Sequence, residues 1–341
     1  MFAIATLPFV DQAIWAASPV AIGVSGGKDS QAAALSTFRY LDKCGHRGPR
    51  VLVHADLGTV EWKDSLRICE ELAAHLGCEL LVVRRKAGDL MDRWEARWPV
   101  TLVPCWSTPR MRFCTSELKT HVIQAELRRR YKGQTIINVT GVRREESAAR
   151  SKATVADEGA ANDSFINWRP IVDWTTHEVF TAIDASGLAP HPAYRDSGMS
   201  RVSCMFCIMS NIADLTAAAA QPESHDLYRR MVALECDSSF AFQGSRWLGD
   251  VAPQLLTPDL RDRLVVAKST ALWRTQAEGR ITDGMLYVKG WPTRMLTDEE
   301  ADTLAGVRSE ISAIFSIECA CLDRDSIHDR YAELIRRREE A

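Results

Sequence analysis

Val20-Ala21-Ile22-Gly23-Val24-Ser25-Gly26-Gly27-Lys28-Asp29-Ser30 is the stretch that decides how this chain folds. The apolar run reads as a buried strand, the paired glycines as a tight turn, and Gln31 to Leu41 as the following helix. A strand, a glycine turn and a helix start together make a phosphate site. Glycine lets the backbone approach an anion closely, and a helix N-terminus presents free N–H groups and a positive dipole end. Lys28 adds a full positive charge, and the hydroxyls of Ser25 and Ser30 add donors. This is not a Walker A loop, which needs four residues between its first glycine and Gly-Lys, then a hydroxyl. Gly23 stands one residue too close, and Asp29 fills the hydroxyl position. A carboxylate there implies another way of holding phosphate and metal. The structural alternative is a glycine turn that holds nothing.

Outward from the loop, Phe2 to Ala17 reads as an amphipathic helix on the sheet edge. Val51 to Ala55, ending at Asp56, is the second strand, Glu79 to Val83 the third, and Thr135 to Val139, ending at Gly141, the fourth. Phe165 to Val172 gives a short fifth strand. Helices are expected over Trp62 to Leu76, Leu90 to Trp98, Ser116 to Tyr131 with Ser116 as N-cap, and Thr176 to Ser186 closed by Gly187. Near-continuous apolar strands alternating with helices predict an α/β fold, a doubly wound, mostly parallel five-stranded sheet. Ala153 to Asp163, small and polar, reads as a mobile loop. Beyond about Asn211 the alternation stops. The expected division is a nucleotide-binding domain over 1–212 and a helical C-terminal extension over 213–341.

The bulk numbers narrow the class. A length of 341 residues allows one large domain or two ordinary ones. A net charge of −3 argues against a generic nucleic-acid binder, although a local basic surface remains compatible with it. Met1 to Val10 lacks Lys and Arg, unlike a secretory leader, and no apolar run suffices to span a bilayer. A cytoplasmic protein with no membrane partner is expected. Its ten cysteines then read as metal ligands or thiols rather than as a disulfide framework.

In parallel sheets ligands bind beyond the carboxyl ends of the strands. Three chemically rich segments lie there: the glycine loop, Asp56-Leu57-Gly58-Thr59, and Gly141-Val142-Arg143-Arg144-Glu145-Glu146-Ser147. Asp56 would meet a ribose, a base edge or a metal; otherwise it is a turn residue before Gly58. Arg143 suits a bidentate phosphate contact, and Glu146 would hold it or bind metal; the alternative is a solvated charged turn. Cys204-Met205-Phe206-Cys207 is a C-x-x-C pair, and Cys105 and Cys114 form a looser one. Four cysteines suit zinc or an iron–sulfur cluster, with Trp106 and Phe206 as a shield. The spacing matches neither a zinc ribbon nor a ferredoxin, so a redox-active Cys204/Cys207 dithiol stays open. Cys44, Cys69, Cys78 and Cys236 read as core thiols, with Cys319 and Cys321 unassigned. Arg128 to Lys132 complements a helix C-terminus.

These residues resemble a known family. Ser25 to Ser30 looks like the PP-loop of ATP pyrophosphatases. The phosphoadenosine phosphosulfate (PAPS) reductase-like branch is suggested by His54-Ala55-Asp56-Leu57-Gly58-Thr59, by Arg112 to Lys119, by Gly141 to Ser147 and by Trp168 to Trp174. His191-Pro192 through Tyr194, Gly198, Arg201 to Cys204, and Cys207 complete the likeness, in order over roughly the first 210 residues. The resemblance implies an adenine nucleotide α-hydrolase-like fold and cleavage of ATP between its α- and β-phosphates. A substrate oxygen attacks the α-phosphorus, pyrophosphate leaves with Mg2+, and an adenylated intermediate goes on to accept a sulfur or nitrogen nucleophile. Ser25, Gly26, Gly27, Lys28 and Ser30 would cradle the pyrophosphate, with Asp29 near the metal and Lys28, Asp29 and Arg143 as the catalytic set. Asp56, Gly141 and Glu146 would complete the nucleotide site. Relatives use this chemistry to thiolate tRNA or DNA, often with a [4Fe-4S] cluster on four cysteines. Cys105, Cys114, Cys204 and Cys207 are the candidates here, with Zn2+ as the other occupant. Implied partners are a tRNA or DNA acceptor, a sulfur-donor protein, and subunits of DNA-phosphorothioation, CRISPR-type defence or phage systems.

The chain also departs from the true PAPS reductases. Those carry Glu-Cys-Gly-x-His near the C-terminus, where this chain has Glu318-Cys319-Ala320-Cys321-Leu322. They also tend to lose the full PP-loop, which here keeps Lys28. Both differences favour ATP use. The alternatives are a sulfonucleotide reductase and a nucleotide-binding accessory subunit without turnover.

Overall fold

The computed structural model describes residues 2–98, 104–159, 164–315 and 317–340. The chain divides into two compact units: Met1–Met231 with Phe242–Leu255, and Val232–Ala241 with Leu256–Ala341.

The first unit is an α/β fold on a six-stranded sheet. In chain order it runs α1 (Pro8–Trp15), β1 (Val20–Val24), α2 (Lys28–Lys43), β2 (Arg50–Asp56), α3 (Asp64–Leu76), β3 (Glu79–Arg84) and α4 (Leu90–Glu95). A helical turn at Phe113–Thr115 passes through a π-helical turn at Ser116–Thr120 into α5 (His121–Arg130). Then come β4 (Ile136–Val139), β5 (Ala156–Glu158), β6 (Phe165–Trp168), α6 (Thr176–Asp184) and α7 (Ile212–Ala219). The strand order is β3-β2-β1-β4-β6-β5, parallel except for the β5–β6 pair. The order reverses between β1 and β4, which places a crevice at their carboxyl ends.

Alternation along β1 sorts its side chains onto two faces. Val20, Ile22 and Val24 pack with Ala32, Leu35, Phe38 and Leu41 of α2. Ala21 joins Val51, Val53, Leu127 and Tyr131 on the other face.

Three expectations change. Helix α1 starts at Pro8, since proline suits the first helical position, and Phe2 to Leu7 is an extended strap. Ser116 is not an N-cap, because the helical turn already begins at Phe113 and the Ser116 N–H donates to the Arg112 carbonyl at 3.1 Å. The described part of Ala153 to Asp163 contains a sixth strand, β5; residues 160–163 lie outside the described residues. Asp157 anchors that strand through Asn167 Nδ2 at 2.9 Å and Arg169 at 2.7 Å, covering the β6 edge.

The second unit is helical, with α9 (Pro258–Glu278), α10 (Asp298–Phe315) and α11 (Arg324–Glu339) following α8 (His225–Ser238), which runs across the division. Its core gathers Met285, Leu296, Ala301, Leu304, Ile327 and Tyr331, whose hydroxyl donates to the Met285 carbonyl at 2.6 Å. Among the described residues, no helix is long and apolar enough to cross a membrane.

Candidate nucleotide site

The glycine loop joins β1 to α2, with Gly27 as a helix cap lacking any side-chain bond. Gly26 needs its glycine twice over. Its φ is +73°, and a Cβ there would sit 2.9 Å from the Ser65 Cα and 3.3 Å from the His191 ring. The loop ties itself: the Ser25 N–H donates to Ser30 Oγ at 3.3 Å, and that hydroxyl donates to the Gly27 carbonyl at 2.9 Å.

Lys28 is buried, 5% exposed, at the first position of α2. Its ammonium lies 3.0 Å from Asp29 Oδ2 and 5.3 Å from the centre of the Tyr194 ring. The other Asp29 oxygen accepts from Arg143 Nε at 2.6 Å. Arg143 is 2% exposed and nearly exhausts its donors. It also reaches Glu145 at 2.5 Å, the Trp174 carbonyl at 3.0 Å and Thr176 Oγ1 at 3.2 Å, while its own N–H donates to Glu146 at 2.9 Å. Burial disfavours the guanidinium charge, but Asp29 and Glu145 outweigh that and hold Arg143 above its usual value. Gly141 closes the knot from the β4 side. A Cβ there would come within 2.5 Å of the Asp29 carbonyl oxygen and 2.8 Å of the Ser30 nitrogen, so two loops meet backbone to backbone. The structure thus brings Ser25 to Ser30, Gly141, Arg143 and Glu146 together at the switch point between β1 and β4.

Asp56 sits at the end of β2, a strand away. Its carboxylate accepts from the Gly58 N–H at 2.7 Å and from Arg84 Nε at 3.1 Å. Burial raises it, but those bonds prevail and keep it below the ordinary carboxylate value. This is a turn-holding arrangement. Both oxygens of Asp29 likewise meet cations, Arg143 on one and Lys28 on the other.

Two residues, half-buried Tyr194 and buried His191, were visible in the motifs but carried no assigned role. Tyr194 Oη accepts the Lys28 N–H at 3.1 Å and the Val202 N–H at 3.3 Å, so it meets the α2 N-terminus itself. Burial pushes this phenol up to about 12. His191, fully buried, accepts the Ala193 N–H on Nδ1 at 3.1 Å, which places its proton on Nε2. Burial pushes it down to about 4. His54 goes the other way. Burial works against its charge, but Cys69 and Glu61, the latter at 3.0 Å, push it up to about 10.

The cysteines are drawn together less completely. Cys204 pairs in an antiparallel bridge with Glu61 beyond β2. Its thiol is pushed up by burial and further by Cys207 and Cys114, which therefore share its neighbourhood. Cys105 is fully buried, and its neighbour Trp106 packs edge-on to Trp94 at 5.3 Å and Phe242 at 5.2 Å. Phe206 packs against Tyr228. Among the described residues, no three Cys, His, Asp or Glu side chains converge as a metal site. Cys105, Cys114, Cys204 and Cys207 are all free thiols. Cys69 is a core thiol, and Cys44 and Cys78 pack against the same core. Cys236, Cys319 and Cys321 belong to the second unit.

A sheet with its switch point at β1 and β4, a PP-loop there and a buried Lys–Asp–Arg knot define a nucleotide-binding α/β protein of the PP-loop superfamily of ATP-using enzymes. The family model of the phosphoadenosine phosphosulfate reductase domain matches residues 19–210, and the chain belongs to that family. It is 29% identical over 255 residues to an uncharacterised 37.8 kDa protein of Escherichia phage 186, covering 62% of this chain and 74% of that one. Two uncharacterised proteins of Methanocaldococcus jannaschii are 27% and 24% identical over 54% and 55% of this chain. The matches span only 40% and 36% of their lengths. Similar solved structures include a PAPS reductase from Candida auris in a phosphate complex, at 13% identity and a TM-score of 0.39, covering 54% of this chain and 80% of that one. Another is the U34-tRNA thiolase NcsA from Methanococcus maripaludis with its [4Fe-4S] cluster, at 16% identity and a TM-score of 0.39, covering 64% and 71%.

Proposed function

We propose that this chain is an adenylating enzyme that splits MgATP between the α- and β-phosphates and activates an acceptor for sulfur transfer to a nucleic acid, tRNA or DNA. The observation that carries the reading is the complete loop at the start of α2, where Lys28 and Arg143 meet on Asp29. In the reaction the acceptor oxygen bonds to the α-phosphorus, the bond to the bridging oxygen breaks, and pyrophosphate leaves with its Mg2+. The chain's part is to receive that negative charge. The N–H groups opening α2 supply the positive dipole end, and Ser25 and Ser30 supply hydroxyls. Lys28 needs only to exchange its Asp29 contact for a phosphate oxygen, while Arg143 keeps Asp29 in place. The phage relative supports a mobile-element or defence setting, with a sulfur donor and complex subunits as partners.

The test is anaerobic incubation with labelled ATP, a sulfur donor and candidate tRNA or DNA, reading AMP, pyrophosphate and sulfur incorporation together. Equimolar AMP and pyrophosphate, lost in Lys28→Ala, is the expected result. ADP and phosphate as products, or full turnover in Lys28→Ala, would overturn it. A second reading, sulfonucleotide reduction, is favoured by the family's own description. It predicts sulfite release from PAPS with a thiol donor, abolished by Cys319→Ser or Cys321→Ser.

A further inference from the structure

The C-terminal half of α2 borders a cavity of about 670 Å3, within the usual range for small-molecule sites. Arg39, on its rim, stands roughly 16 Å along the helix axis from Lys28, so the cavity is separate from the nucleotide site. One wall is the strap at Phe2 to Ile4, and it is fastened. The Trp174 indole N–H donates to the Ala3 carbonyl at 2.7 Å, and the Trp168 indole N–H donates to the Ala5 carbonyl at 2.8 Å. Phe2 meets Trp174 edge-on at 5.6 Å. Leu35 of α2, Ala182 of α6 and Ala185, the cap that follows α6, supply more of the apolar lining.

The charge on this cavity is one-sided. Arg39 and Lys43 both line it, are exposed, and make no ion pair or hydrogen bond with any described residue. No Asp or Glu lines it. Nearby Asp11 does not line the cavity; its Oδ1 accepts the Thr6 and Tyr40 hydroxyls at 2.8 Å each. Like charges one turn apart on a helix repel, and the C-terminal dipole offsets this most in the last turn, at Lys43. Two uncompensated cations beside an aromatic and aliphatic surface match one kind of ligand.

We propose that this cavity binds a small organic anion with an apolar body, an acyl or aryl carboxylate. The body lies against Phe2, Leu35 and Trp174, and the carboxylate meets Arg39 and Lys43. The probe is 8-anilinonaphthalene-1-sulfonate, titrated into the full chain by fluorescence, with its uncharged relative N-phenyl-1-naphthylamine alongside. One sulfonate probe per chain is expected. Binding should weaken about tenfold in the Arg39→Gln/Lys43→Gln double variant, the neutral probe being unaffected, and both should be lost in Ala185→Trp, which fills the cavity from its exposed rim. Unchanged near-ultraviolet circular dichroism would certify that each variant is folded. Competition by octanoate and by 2-naphthoate separates acyl from aryl ligands. The proposal falls if no saturable site appears, if Ala185→Trp binds as well as the parent chain, or if 1-octanol competes as well as octanoate.

Discussion

Asp29, in the first turn of α2, and Asp56, at the end of β2, follow neighbouring strands, each a short way from a glycine of positive φ, Gly26 at +73° and Gly58 at +75°. Each carboxylate meets an arginine, and the two side chains are equally sheltered, at 20% and 16% exposure. Their partners differ: the Arg143 side chain is 3% exposed and the Arg84 side chain 62%. The first pair is locked among carbonyl, hydroxyl and carboxylate acceptors; the second lies in water. Removing one partner of a buried pair leaves a stranded charge, whereas an exposed pair is worth little. The same chemistry therefore makes a rigid site at one strand end and a turn at the next.

The hardest test of that contrast is Arg143→Ala, expected to lower stability by about 3–5 kcal/mol in denaturant unfolding. A loss as small as that expected for Arg84→Ala would erase the distinction. Next is Lys28→Ala, expected to cut pyrophosphate release by about 10²–10³-fold with the fold intact, as removal of a preorganised donor does.

Two histidines sharpen the comparison through pH. His191, pushed down to about 4, binds fewer protons folded than unfolded, so stability should fall as pH drops from about 6.5 towards 4. The shift corresponds to roughly 3 kcal/mol. His54, pushed up to about 10, contributes fully below about 6.5, and that contribution is lost as pH rises towards 10. Unfolding curves across this range should show the acid slope flattened in His191→Gln and the alkaline slope flattened in His54→Gln; unchanged slopes would refute both assignments. Gly141→Ala, forcing a methyl against the Asp29 backbone, should cost about 1–3 kcal/mol by thermal or chemical melting. Arg84→Ala should cost less than about 1 kcal/mol.

What could be read from the chain was whatever is contiguous. The strand, turn and helix around Ser25, and the apolar runs at Val51, Glu79 and Ile136, announce themselves within a few residues. Arg143 and Asp29 were each visible as chemistry, but their contact spans 114 positions and exists only once β4 lies beside β1. Tyr194 stood in a motif, but its contact with Lys28 spans 166 positions and exists only in the fold. β5 was hidden because a three-residue polar strand pairs only after β6 offers an edge. Ser116 misled because a hydroxyl before an apolar run signals a helix start only if nothing helical precedes it. The cysteines were legible as a set of thiols, and spacing alone leaves their convergence to the fold.

The contact at Gly141 has a consequence for how the site tolerates change. The clearance between the first and fourth loops is set by carbonyl and amide atoms that every residue carries. Side chains elsewhere in the two loops can drift without altering that gauge, and only one position, the glycine itself, can jam it.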